Sequence, residues 1–76
     1  MNNITVQSLE FYLNQKYPVS VYLEETGIYS ILIPKLPGCM SQGKSIEEAL
    51  QNIEKARQHW IKRTWKSGNE IPLPNQ

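Results

Sequence analysis

An α+β domain, a small antiparallel sheet of three to four strands with a long helix on one face and a short N-terminal helix, follows from two changes of hydrophobic period and one rigid turn. Apolar residues recur at three and four residue spacing before residue 17, alternate from there to residue 33, and return to helical spacing from Ile46. Between the last two regimes, residues 33–49 read IPKLPGCMSQGKSIEEA, a strand end, a proline-fixed turn, a short strand and a capped helix start in quick succession. The expected order is α-β-β-β-α, with a possible last β.

Over residues 5–16, Val6, Leu9, Tyr12, Leu13 and Lys16 fall on one face of a short amphipathic helix. Phe11 lies off that face, and either packs under a strand or marks a contact between subunits. From Tyr17 the period is two: Val19, Val21 and Leu23 alternate with Ser20, Tyr22 and Glu24, which predicts a strand with the valine and leucine face buried. Glu24, Glu25, Thr26 and Gly27 supply a turn. Tyr29, Ile31 and Ile33 then oppose Ile28, Ser30 and Leu32, so an antiparallel hairpin is the simplest pairing, and Ile28 and Leu32 suggest cover on both faces of the second strand. Pro34 and Pro37 fix φ and remove donors, while Gly38 and Gly43 admit positive φ or close backbone approach. A third strand is expected at residues 39–42.

Ser45 offers an N-cap and Glu48 closes a capping box, which starts a helix expected over residues 46–67. Ile46, Ala49, Leu50, Ile53, Ala56, Trp60, Ile61 and Thr64 share its apolar stripe, opposite Glu48, Asn52, Lys55, His59 and Lys62. Lys62, Arg63 and Lys66 complement the helix dipole at its end, and Gly68 is a natural stop. Residues 69–76 carry two prolines and have room for a short edge strand at 71–73.

The 76 residues make one domain, with eight Lys and Arg against seven acidic residues, all glutamate. A formal charge of +1 argues against a general phosphate-binding surface. One cysteine excludes an internal disulfide and suits a reducing compartment, so the cytoplasm is expected. The N-terminus lacks the regions of a signal peptide, and no window is apolar enough to span a membrane.

Few residues are equipped for chemistry. Cys39 lies in a strand without a base and reads as a small hydrophobe, His59 falls on the solvent face, and the glutamates are scattered over turns, termini and helix surface. No metal, no cofactor and no catalytic residue is expected, and a metal-dependent nuclease is the weakest of the functional readings. Trp65 sits on the flank of the helical stripe near Glu47 and Glu54, where a large aromatic either extends the core or anchors a protein interface.

The phrases Ile33-Pro34-Lys35-Leu36-Pro37-Gly38-Cys39, Ser41-Gln42-Gly43-Lys44-Ser45 and Glu47-Glu48-Ala49 resemble the HicB-like antitoxin family, in which a strand pair leads to a phrase close to FPDLPGC, then TQGDT, then a helix beginning EEA. The resemblance implies a partial RNase H-like fold without catalytic carboxylates, acting as a noncatalytic antitoxin. Such a protein forms a homo-oligomer, a dimer or tetramer, and occludes an mRNA-cleaving toxin of the HicA type. Its structural motif here would be Pro34, Pro37, Gly38, Gly43, Ser45 and Glu48, and its partner-binding candidates Glu47, Glu54 and Trp65. Lys35 and Lys44 join them as positions where family members often carry an acid. Many relatives append a DNA-binding domain, and a chain ending at Gln76 is expected to lack one and to make no direct DNA contact. The alternative is an orphan module that binds RNA or a small ligand through Lys35, Lys44 and the cluster Lys62, Arg63 and Lys66.

Overall fold

The structure is a computed structural model that describes residues 7–75. It contains, in order, α1 (Leu9–Leu13), β1 (Ser20–Leu23), β2 (Tyr29–Leu32), β3 (Met40–Gly43) and α2 (Ile46–Ser67). The strands form one antiparallel sheet in sequence order, β1-β2-β3. Val21 pairs with Ile31 and Ile31 with Ser41, so these three share the face beneath α2. The α+β class and the order α-β-β-β-α stand as the hydrophobic periods indicate.

Each turn has a local cause. In the hairpin, Gly27 donates to the Glu24 carbonyl at 2.9 Å with φ +87°, and Glu24 donates to Ile28 at 2.8 Å, an arrangement in which the residue closing the turn must be left-handed. In the second connection Cys39 donates to Leu36 at 2.9 Å across Pro37 and Gly38, with Gly38 at φ +83°. Proline at the first corner and left-handed glycine at the second are the residues of a type II turn. Leu36, fully buried, plugs the loop into the core, and the Trp60 indole N–H ties it to α2 through the Pro37 carbonyl at 2.8 Å.

The start of α2 is fastened by four hydrogen bonds and one close backbone approach. Glu48 donates its backbone N–H to the Ser45 hydroxyl at 3.1 Å, and the Glu48 carboxylate accepts from the Lys44 N–H at 2.6 Å. Gly43 lets the helix close on β3: a Cβ there would lie 2.9 Å from Ala49 Cα and nearer still to its nitrogen. Ser41 donates to the Ala49 carbonyl at 3.0 Å, and Asn52 donates to the outward carbonyl of Gln42 at 2.8 Å. At the far end Gly68 adopts φ +79° and returns its N–H to Trp65.

The core is Tyr17, Ile31, Ile33, Leu36, Cys39, Ala49, Ile53, Ile61 and Ile71. Several expectations from periodicity give way here. α1 is one turn, capped by Ser8, rather than the span 5–16; Lys16 lies beyond its end, and Thr5 and Val6 fall outside the described residues. Phe11 packs edge to face on Tyr12, with ring centroids 5.2 Å apart. The third strand sits one residue later than expected. Residues 71–73 form no strand; Ile71 is buried instead, and the segment is clasped by the Tyr17 hydroxyl, which donates to the Pro72 carbonyl at 2.6 Å.

The largest departures concern the apolar faces. Val19, Val21 and Leu23 lie on the helix side of the sheet but remain exposed, Leu23 at 65%, because α2 packs on β3 and β2 and makes no contact with β1. Ile46 and Leu50, in the first turns of α2, are exposed as well. Arg57 occupies the place in the core that the stripe left to apolar residues. The second face of β2 has no covering layer among the described residues, and Ile28 and Leu32 are only half-buried.

The two motif glycines should therefore fail differently. Gly38→Ala meets no atom within 4 Å and should cost about 1–2 kcal/mol for its left-handed φ. Gly43→Ala should cost about 3 kcal/mol or more by forcing α2 off the sheet. Urea denaturation of the two variants beside the unaltered protein measures both.

Candidate functional site

The sheet has an open face. Alternation turns Tyr22, Ser30, Leu32, Met40 and Gln42 away from α2, and these residues with Glu24 line a trough of about 610 Å³. Ser20, Leu32 and Met40 form one cross-strand row; Tyr22, Ser30 and Gln42 form the next, where the Gln42 amide donates to the Ser30 hydroxyl at 3.3 Å. Met40 is 62% and Tyr22 53% exposed. The floor is thus apolar with a small polar pair, and Glu24 makes its rim at the hairpin acidic, with Glu25 next to it in the turn outside the trough. The lining holds one carboxylate, Glu24, and no histidine, cysteine, lysine or arginine beside it, and an apolar floor with a polar rim is the pattern of a protein-binding surface.

The candidates named from sequence lie elsewhere and are not gathered into one place. Glu47, Glu54 and Trp65, spaced by seven and eleven residues, align along one flank of α2 over about 27 Å of helix. Glu47 is exposed. Glu54 already serves Arg57, whose Nε and Nη2 donate to its two oxygens at 3.0 and 2.6 Å. Trp65 is 38% exposed, and its indole N–H donates to the Gln7 carbonyl at 3.1 Å, which fastens the segment ahead of α1. Lys35 is half-buried in the proline loop, and Lys44 is exposed at the turn into α2. Pro34, Pro37, Gly38, Gly43, Ser45 and Glu48 hold the two turns and the helix start described above.

Arg57 is a charged type at a position that the helical stripe turns toward the core. It is 8% exposed, and besides the bidentate pair with Glu54 it donates from Nη1 to the Leu13 carbonyl at 2.8 Å, locking the end of α1 to the middle of α2. The signal in the sequence is its position: at helical spacing Arg57 falls inside the apolar stripe, between the angles of Ile53 and Leu50, and three residues after Glu54. Burial pushes the Cys39 thiol up from its ordinary value, with the charge of Arg57 opposing, so it is held as a neutral buried group. Among the described residues no three His, Cys, Asp or Glu side chains gather to hold a metal, and no helix is long and apolar enough to cross a membrane.

With this geometry in place, comparison with known proteins is decisive for the family. Residues 17–76 match the family described as HicB_like antitoxin of bacterial toxin-antitoxin system. The chain belongs to the HicB-like antitoxin family. A UPF0150 protein of Thermoplasma acidophilum is 42% identical over 60 residues, covering 79% of this chain and 87% of its own. A UPF0150 protein of Helicobacter pylori is 58% identical over a shorter stretch of 33 residues, covering 43% of this chain and 44% of its own. The crystal structure of TTHA0281 from Thermus thermophilus superposes with a TM-score of 0.70 at 26% identity, over 90% of this chain and 82% of that one. The match to the HicB-like family takes in β1 to the end of α2, so it includes the open sheet face and both structural turns.

Membership of an antitoxin family agrees with a surface built for binding. The Arg57 clamp holds that surface together, and its acid response follows from Glu54. The hydrogen bond from Arg57 holds the Glu54 carboxyl below its ordinary range, burial opposes and the guanidinium charge adds. A depressed folded-state value gives stabilisation that is present above the unfolded carboxylate value of about 4.3 and lost as pH falls through the folded value. Stability should therefore drop more steeply below about pH 4.3 in the unaltered protein than in Glu54→Gln. The difference should stay under about 1 kcal/mol because the carboxylate is largely solvated. Arg57→Met should cost about 1–3 kcal/mol at neutral pH by leaving the Leu13 carbonyl without its donor. Urea melts at a series of pH values measure both effects.

Proposed function

We propose that this chain is the noncatalytic antitoxin of a type II toxin-antitoxin pair, and that it masks a small mRNA-cleaving toxin of the HicA type by offering it the open face of the sheet. The observation that carries this reading is the trough of Tyr22, Leu32 and Met40, an apolar floor with an acidic rim on a chain of antitoxin lineage. A ribonuclease presents cations to its phosphate substrate, so an acidic rim favours the encounter while the apolar floor supplies the lasting contact. The fold is read as a partial RNase H-like domain that retained the layer of strands and helix but holds no cage of carboxylates. It acts in the cytoplasm as a homo-oligomer.

The helix flank offers the toxin a second surface through Glu47, Glu54, Trp65 and the nearby Lys44, with Lys35 on the loop. It is the lesser one, because Glu54 and the indole of Trp65 are engaged within the chain. On this reading a neighbouring short gene encodes the toxin, and titration with that purified product distinguishes the two surfaces. Met40→Glu, at a position exposed enough to leave the fold intact, should weaken binding about tenfold or more, whereas Glu47→Lys should change it less than about threefold. The reverse order would move the toxin to the helix flank. No complex with the unaltered chain would remove the reading, and RNA binding by the chain alone, falling steeply with salt, would replace it with the orphan module.

A further inference from the structure

The sheet has two edges, and the structure treats them unequally. At β3 the outward carbonyl of Gln42 is taken by Asn52, and α2 lies over the strand. At β1 nothing comparable occurs among the described residues. Because Glu24 donates inward to Ile28 and the register continues through Tyr22 with Ser30 and Ser20 with Leu32, the even-numbered residues of β1 bond to β2. The N–H and C=O groups of Val21 and Leu23, and by continuation Val19, therefore point away from the sheet. Pro18 lacks an N–H only on the inward side, where its absence leaves the outer ladder whole.

Natural edge strands are blunted by shortness, proline, charge, bulge or covering; β1 is short and follows Pro18, but residues 19–23, VSVYL, carry no charge, and among the described residues no element but β2 packs on β1. Val21 is 41% exposed on this edge. We propose that β1 pairs antiparallel with β1 of a second copy about a twofold axis at Val21, making a continuous six-stranded sheet, three strands from each chain. This deepens the homo-oligomeric part of the preceding reading and makes no use of the toxin.

The second copy is the occupant because the segment is self-complementary in that register and no other. Val21 meets Val21, and Val19 meets Leu23, so every outward donor finds an outward acceptor. Residues opposite one another in an antiparallel pair share a face, which joins the two valine and leucine strips on the helix side and places Ser20 beside Tyr22 on the open side. Charge agrees. The same register sets the hairpin acids Glu24 and Glu25 of each copy alongside Lys16 of the other, and none of the three has an ion-pair partner among the described residues. The open trough lies on the opposite face from the helices and stays accessible in such a pair.

Cysteine trapping reads the axis directly. Opposed residues of a hydrogen-bonded antiparallel pair have Cα atoms about 5.5 Å apart, within the range a disulfide spans. Under mild oxidation of the full chain, Val21→Cys should cross-link to itself. Val19→Cys alone and Leu23→Cys alone should not, and their mixture should; the unaltered chain, with Cys39 buried, is the control. In sedimentation equilibrium the unaltered protein should be a dimer, and Val21→Lys should weaken it about 100-fold by setting like charges on the axis, with its thermal melt showing that the fold persists. A monomer at tens of micromolar, cross-linking without regard to position, or a dimer indifferent to Val21→Lys would each overturn the proposal. Toxin titration reports separately: a dimer that binds no toxin keeps this inference and sinks the preceding one, and a monomer that binds toxin does the opposite.

Discussion

Because Gly43 has no side chain, the first turn of α2 rests against the backbone of β3 rather than on a layer of side chains, and this close approach decides much of what lies on either side of it. It brings Asn52 within reach of the strand's outer carbonyl and Ser41 within reach of the Ala49 carbonyl, so the β3 edge is closed by the same contact that seats the helix. A helix of one width cannot cover three strands. Placed over β3 and β2, it leaves β1 outside its shadow, and the exposure of Val19, Val21 and Leu23 follows from the position of Gly43 at the other side of the sheet. The capping box of Ser45 and Glu48 fixes the direction in which the helix departs, and the Trp60 bond to the Pro37 carbonyl holds the middle of the helix to the loop that precedes β3.

The parts of the fold that are local in cause were legible in the residues. Gly27, Gly38 and Gly68 take left-handed φ where the turns and the helix stop require it, and Ser45 caps where a serine three residues before a glutamate should. What depends on where an element docks was not. A period of two says which side chains of β1 share a face, and Val19, Val21 and Leu23 do share one, but it carries no information on whether that face is covered. The same holds for Ile46 and Leu50: they sit on the apolar side of α2 by angle, yet both stay exposed. At the N-terminus, Ser8 competes for the helix start by capping the Phe11 N–H, and this local bond ends a periodicity that would otherwise have run on.

Two long-range polar ties were invisible for a different reason. Arg57 and Tyr17 are types that usually reach solvent, and their burial depends on acceptors far away in the chain, the carbonyls of Leu13 and Pro72. Each ties a segment of weak secondary structure to the core: Arg57 holds a single-turn helix, and Tyr17 holds a tail that forms no strand. A buried guanidinium is tolerable only when its donors are met, and here a bidentate carboxylate and a backbone carbonyl meet them. Glu54 is therefore a residue whose surface exposure and internal duty coincide, which is why an interface role inferred from its place on the helix flank has to compete with a structural one.

A chain of this size buries too little to cover both faces and both edges of its own sheet, and the sites it leaves open are then the natural places to look for its work. Membership of the HicB-like antitoxin family assigns that work to recognition, and the geometry separates the open regions by kind. The trough on the face away from α2 combines apolar floor, polar pair and acidic rim, features that can discriminate one partner from another. The β1 edge has uncharged backbone donors and acceptors flanked by valine and leucine, features that pair with any compatible strand and are safest when met by an identical one. Pairing at that edge would remove the feature most prone to indiscriminate association and leave the selective face exposed twice over, on one continuous sheet. The placement of α2 by Gly43 thus bears on recognition as well as on folding, since a helix shifted toward β1 would cover the pairing edge and uncover the one that Asn52 now closes.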